Sequence, residues 1–173
     1  MTHLRKALDQ LYDAAAYLAA FFMIGTLVMV LASVLGRAMD FNLRGSDAYA
    51  GYCMAAASFL ALAHTLRRGE HIRVTLLLRR FSQKVTHRME LWCHAAGAFL
   101  ACALAFYSVR LTWQSKMFND ISQGNDATPL WIPQVSMAIG TVVLAIAMLD
   151  GFVEHLRGTA KHPQHEDELK MIE

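Results

Sequence analysis

The sequence predicts an all-α membrane protein with four transmembrane helices, both termini in the cytoplasm, and a basic amphipathic helix at the interface between spans 2 and 3. Three observations predict it. Of 173 residues, 55% are hydrophobic and only 17% charged, against nearer a quarter charged in an ordinary soluble domain. The charges gather in short blocks separated by four long uncharged runs. Lysine and arginine are distributed unevenly among those blocks, which sets orientation.

Each run is long enough to cross ~30 Å of hydrocarbon at ~1.5 Å per helical residue. The first, Ala14–Gly36, follows Arg5 and Lys6 as a signal peptide would, but it exceeds a typical signal core and is read as a retained helix. The second, Ala48–Leu66, is introduced by Ser46 and Asp47 as capping residues. The third is Leu91–Val109. The fourth, Pro129–Leu149, has Thr128 as a cap and Pro129 and Pro133 near its start, where a missing N–H costs little. One membrane domain, 1–156, and a polar cytoplasmic tail, 157–173, account for the chain.

With the N-terminus inside, twelve of the 16 basic residues fall on the cytoplasmic side, seven of them in the loop between spans 2 and 3. Arg37, Arg44, Arg110 and Lys116 fall outside. In that inner loop Val74, Leu77, Leu78, Phe81 and Val85 follow helical spacing, while Arg79, Arg80, Gln83, Lys84, His87 and Arg88 take the other side. This is the pattern of a helix lying on a membrane surface, its cations near anionic headgroups. Arg67, Arg68, Arg73, Arg79 and Arg80 are therefore assigned to topology and lipid binding. Trp92, Trp113 and Trp131 sit at span ends, as interfacial aromatics do.

The spans are poor in chemistry. No ionisable residue falls near a midplane, and Asp13, Arg110, Asp150 and Glu154 lie near helix ends. Pumps and transporter cores usually carry such residues or matched helix breaks. Cys53, Cys93 and Cys102 form no C-x-x-C pair and are expected to be buried apolar residues. No catalytic arrangement and no phosphate loop is readable, so the chain is expected not to be an enzyme. Small residues in span 2, from Ala48 to Ser58, suit close approach of another helix. His64, His94 and His155 near the inner span ends keep a second class open, a haem-bearing membrane anchor subunit of an oxidoreductase. A stand-alone small channel built by oligomerisation is a third.

The stretch Ala61–Leu78, ALAHTLRRGEHIRVTLLL, resembles the small membrane subunit (DctQ-like) of tripartite ATP-independent periplasmic (TRAP) transporters. Members commonly end span 2 with a basic residue and then Gly-x-His-Ile-x-Val, matched by Gly69, His71, Ile72 and Val74. Physically, this motif is a turn, with glycine free to end the helix and His71 anchoring the bend. ATPLWIPQ, Ala127–Gln134, is similar to the family's start of span 4, and Gly36–Arg37 closes span 1 before an acidic residue, Asp47, where the family often has Glu. The likeness covers roughly residues 10–156, and the order of the motifs on four spans is more specific than any one of them.

The resemblance implies a non-catalytic small permease subunit that scaffolds a large membrane subunit. The complex takes up an organic acid delivered by a periplasmic solute-binding protein and driven by an ion gradient, usually sodium. The substrate and sodium sites are expected in the large subunit, so no cofactor, metal or substrate site is assigned here. Partners are the large subunit, the binding protein and phospholipids, in the bacterial inner membrane. Arg37, Asp40, Arg44, Asp47, Asp120 and Asp126 are candidates for docking the binding protein.

Overall fold

A computed structural model describes residues 2–41, 45–67, 83–123 and 127–156. Among these residues there are four helices: α1 (Thr2–Ala38), α2 (Ser46–Arg67), α3 (Gln83–Phe118) and α4 (Trp131–Leu156). All four are long and apolar enough to span a bilayer. The cross-links at their ends show that they alternate in direction. Arg5 and Asp9 of α1 meet the C-terminal ends of α2 and α4, while Arg37, at the other end of α1, meets Asp47 at the start of α2.

The helices form an open row rather than a closed bundle. The order across the row is α1, α2, α4, α3, with α2 and α4 central and α1 touching α4 only slightly. Burial follows that order. In the most apolar stretch of each helix, 39% of residues are buried in α4 but only 11% in α1. The outer helices therefore present large apolar side chains outward, including Phe21 and Ile24 of α1 and Phe99 and Leu100 of α3.

The interior is built from small residues. Tyr12 apart, the buried apolar set is mainly alanine, and Thr141 and Ser115 are the largest fully buried side chains. Lipid tails are as apolar as leucine, so no hydrophobic force draws large side chains inward; close backbone approach holds such helices together. Gly140 shows this most directly, since a Cβ there would lie 2.6 Å from the carbonyl carbon and oxygen of Phe59 on α2. Several hydroxyls bond carbonyls of their own helices. Thr141 donates towards the carbonyls of Met137 and Ala138, Ser58 to Met54 and Thr112 to Ser108, as a solvent without water demands.

The elements differ from the sequence expectation in their ends. α1 and α3 have 37 and 36 residues, or ~55 Å of helix, so both run well past the hydrocarbon. α3 starts at Gln83, so the part of the amphipathic pattern from Gln83 to Arg88 leads directly into span 3. The preceding part, residues 74–82, lies outside the described residues, as does the tail, 157–173.

α1 and α3 stop by the same device. The amide of Phe41 bonds the carbonyl of Gly36, and that of Asp120 bonds Ser115, across left-handed residues Asp40 (φ 55°) and Asn119 (φ 52°). Asp and Asn tolerate this conformation better than most side chains, which makes both sites helix C-caps.

Two expected caps are corrected. Pro129 is not a helical first-turn residue: it pairs with Ile121 in an isolated antiparallel bridge, and α4 begins at Trp131. Thr128 lies three residues before the first helical residue, Trp131, too early to cap α4, and its hydroxyl donates to Tyr49. Cys93 and Cys102 are also exposed rather than buried, because they lie on outward faces of the edge helix α3.

Candidate functional site

Polar groups concentrate at the two ends of the row. At one end, Arg67 closes α2 with a guanidinium that points into the protein, its side chain 21% exposed. Nη1 lies 3.1 Å from both Asp150 and Glu154 of α4, and Nη2 lies 3.7 Å from Asp9 of α1. Arg5 pairs with the other oxygen of Glu154. Tyr12 lies beneath Arg67, its ring centroid 5.5 Å from the guanidinium carbon, and packs with Ala15, Ala63, Val143 and Ala147. One cation thus ties three helices, and its planar fork engages separate carboxylates as a lysine could not. On either side of this hub, His64 lies 3.7 Å from Asp13, and His155 lies 3.3 Å from Glu90.

This hub was not assembled from the sequence. Asp150 and Glu154 read as end-of-span carboxylates reaching for the interface, yet both are largely buried. Arg67, grouped with the lipid-facing arginines, is engaged by the protein itself. The signal was spacing: Arg5, Asp9 and Asp13 recur every four residues, as do Asp150 and Glu154, and Glu90 and His94. Each set places its charges on one helical face, but the partner helix is a tertiary fact.

At the other end, Arg37 and Asp47 form an ion pair at 3.2 Å, with Ser33 donating to Asp47 at 2.8 Å and accepting from Arg37 at 2.9 Å. Gly45, at φ 83°, turns the chain into α2 and accepts from the amide of Tyr49, so Asp47 is turned toward α1. The α3–α4 connection folds back as a small hairpin, with Ser122 N–H donating to Thr128 and Leu130 N–H to Asp120. Two tyrosines of α2 pin it: Tyr52 donates to Ser122 at 2.9 Å, and Tyr49 accepts from Thr128 at 3.1 Å. Their rings meet edge to face, and Lys116 lies over Trp131 beside them.

The candidate docking residues are therefore not equivalent. Arg37 and Asp47 neutralise each other, whereas Asp40 and Asp120 are exposed at helix ends. Arg44 and Asp126 lie outside the described residues, as do Arg68, Gly69, His71, Ile72, Arg73, Val74, Arg79 and Arg80. The histidines considered for haem have protein partners. His64 faces Asp13, while His94 bonds the carbonyl of Glu90 and stacks on His155. Among the described residues, no three His, Cys, Asp or Glu side chains converge as a metal site.

Four spanning helices, an alanine-rich interior and charge confined to the ends define a multi-pass helical membrane protein. Residues 26–158 match the family described as tripartite ATP-independent periplasmic transporters, DctQ component. The chain belongs to this family, whose members are small membrane components of TRAP transporters. No curated protein matches the sequence.

Proposed function

We propose that this chain is the non-catalytic small permease subunit of a TRAP transporter, a helical wall that widens and anchors the membrane scaffold of a large transport subunit. The open row carries this reading. A chain that moved solute alone needs a polar path through its interior, whereas this interior is alanine, threonine and closely apposed backbone. Its outer helices keep wide apolar faces available to lipid and to a larger partner. Family membership supports the same division of labour.

In this reading, uptake of an organic acid is driven by an ion gradient, usually sodium, with solute and ion held by the large subunit. The complex lies in the bacterial inner membrane, the Arg67 end is cytoplasmic, and the Arg37 end is periplasmic, as the lysine and arginine distribution supports. The periplasmic end meets the solute-binding protein, with Asp40 and Asp120 as its most available charges and Arg44 and Asp126 beside them in sequence. Arg68, Arg73, Arg79 and Arg80 bind phospholipid headgroups.

Co-expression with a large TRAP membrane subunit and a periplasmic solute-binding protein provides the test. The chain is expected to co-purify with the large subunit, and uptake into liposomes is expected to need both. Transport by this chain alone would contradict the proposal.

A further inference from the structure

One charge departs from the two polar ends. Arg110 closes the uncharged run of α3, but the helix continues about two turns further, to Phe118. Neighbouring contacts fix its depth. Thr112 donates its hydroxyl to the carbonyl of Gln134, and Lys116 lies over the ring of Trp131, the first residue of α4. Arg110 precedes Lys116 by six residues, so its backbone sits ~9 Å deeper in the row than the start of α4.

Arg110 also faces outward. Ser108 and Ser115, both buried, mark the side of α3 that packs on α4. Two residues on from Ser108, at ~100° per residue, Arg110 takes the opposite side and is exposed. Phe99, Phe106, Trp113 and Met117, all exposed, share that side. Among the described residues, Arg110 makes no hydrogen bond and no ion pair. α4 beside it has no ionisable residue from Trp131 to Leu149. Along α3, Glu90 lies ~30 Å away and Asp120 stands past the helix end.

We infer that the Arg110 face of α3 is the surface that meets the large membrane subunit, where a transmembrane helix presents an aspartate or glutamate to the guanidinium. This rests on the small-subunit reading above. Charged residues within spans pair with one another rather than face hydrocarbon, and a guanidinium grips a carboxylate through two parallel bonds. Helical side chains lean toward the N-terminus of their helix. For α3 that is the Glu90 end, away from the nearer headgroups, so a protein carboxylate at depth serves Arg110 better than a lipid phosphate. Arginine among large aromatic side chains is also the composition of a protein contact's centre. The other outer helix makes the contrast. The run 14–36 of α1 exposes Phe21 and Ile24 and contains no ionisable residue, a face suited to lipid.

The test uses the full chain assembled with a large TRAP membrane subunit in lipid nanodiscs, with photoreactive benzoylphenylalanine in place of Phe106 or of Phe21. Light is expected to join the probe at position 106 to the large subunit and the probe at position 21 to phospholipid. Arg110→Leu is expected to weaken association about tenfold or more, Arg110→Glu to weaken it further, and Arg110→Lys to weaken it least. The Arg110→Leu chain alone is expected to unfold no earlier than the parent. Three results overturn the inference while leaving the small-subunit reading in place: capture of the large subunit from position 21 but not from 106, capture of phospholipid or a second copy of this chain from position 106, or unchanged association of Arg110→Leu. A parent chain that never associates with the large subunit overturns both.

Discussion

The two ends of the helix row are held by different physics. At the Arg67 end, charges are largely withdrawn from solvent and one guanidinium joins α1, α2 and α4. At the Arg37 end, the ion pair is exposed, 69% and 77% for its two side chains, and tyrosine hydroxyls do the cross-linking. The same bond types differ in value because a poorly screened charge costs more to strand. The first end therefore fixes how the helices sit against one another, while the second positions a hairpin and leaves Asp40 and Asp120 exposed at its rim.

Breaking the Arg67 hub is expected to give the largest effect. Arg67→Ala strands Asp150 and takes one partner from Glu154, at a cost of about 3 kcal/mol, and Arg67→Lys restores only part because an ammonium does not fork between carboxylates. Thermal unfolding in detergent checks both variants. Between the ends, Gly140→Val is expected to cost about 2 kcal/mol, since added atoms meet the Phe59 backbone rather than a flexible side chain. The same assay reads it. Tyr52→Phe removes the hydroxyl that holds Ser122. The expected loss is about 1 kcal/mol, with faster proteolysis of the α3–α4 connection while the spans stay intact. Arg37→Ala is expected to cost less than about 0.5 kcal/mol, and to cost even less in high salt, as exposed pairs do. Equal losses at Arg37 and Arg67 would erase the distinction between the ends.

How far the sequence revealed this depends on whether a feature is local. The four spans were legible because an uncharged run of about 20 residues has few other uses. The closing of α1 around Arg37 and the acidic opening of α2 were noted singly. Their pairing waited on the turn made by Gly45, which places Asp47 against α1. Pro129 misled because proline suits a helix start, yet it suits a bridge residue facing Ile121 equally well. The Arg67 hub was hidden for a different reason. Its members come from three helices, and only their four-residue spacing showed in the chain. Row or bundle was not legible at all, since both need the same amphipathicity and the same short connections.

That row is the claim on which the scaffold reading depends, and the separation of its two outer helices measures it. Spin labels at Ile24 on α1 and Leu100 on α3, both exposed near mid-helix, are expected to lie about 20 Å or more apart, since two helices stand between them at ~8–10 Å per packing step. A separation near one such step would mean that α1 and α3 are neighbours in a closed bundle, and it would contradict the account.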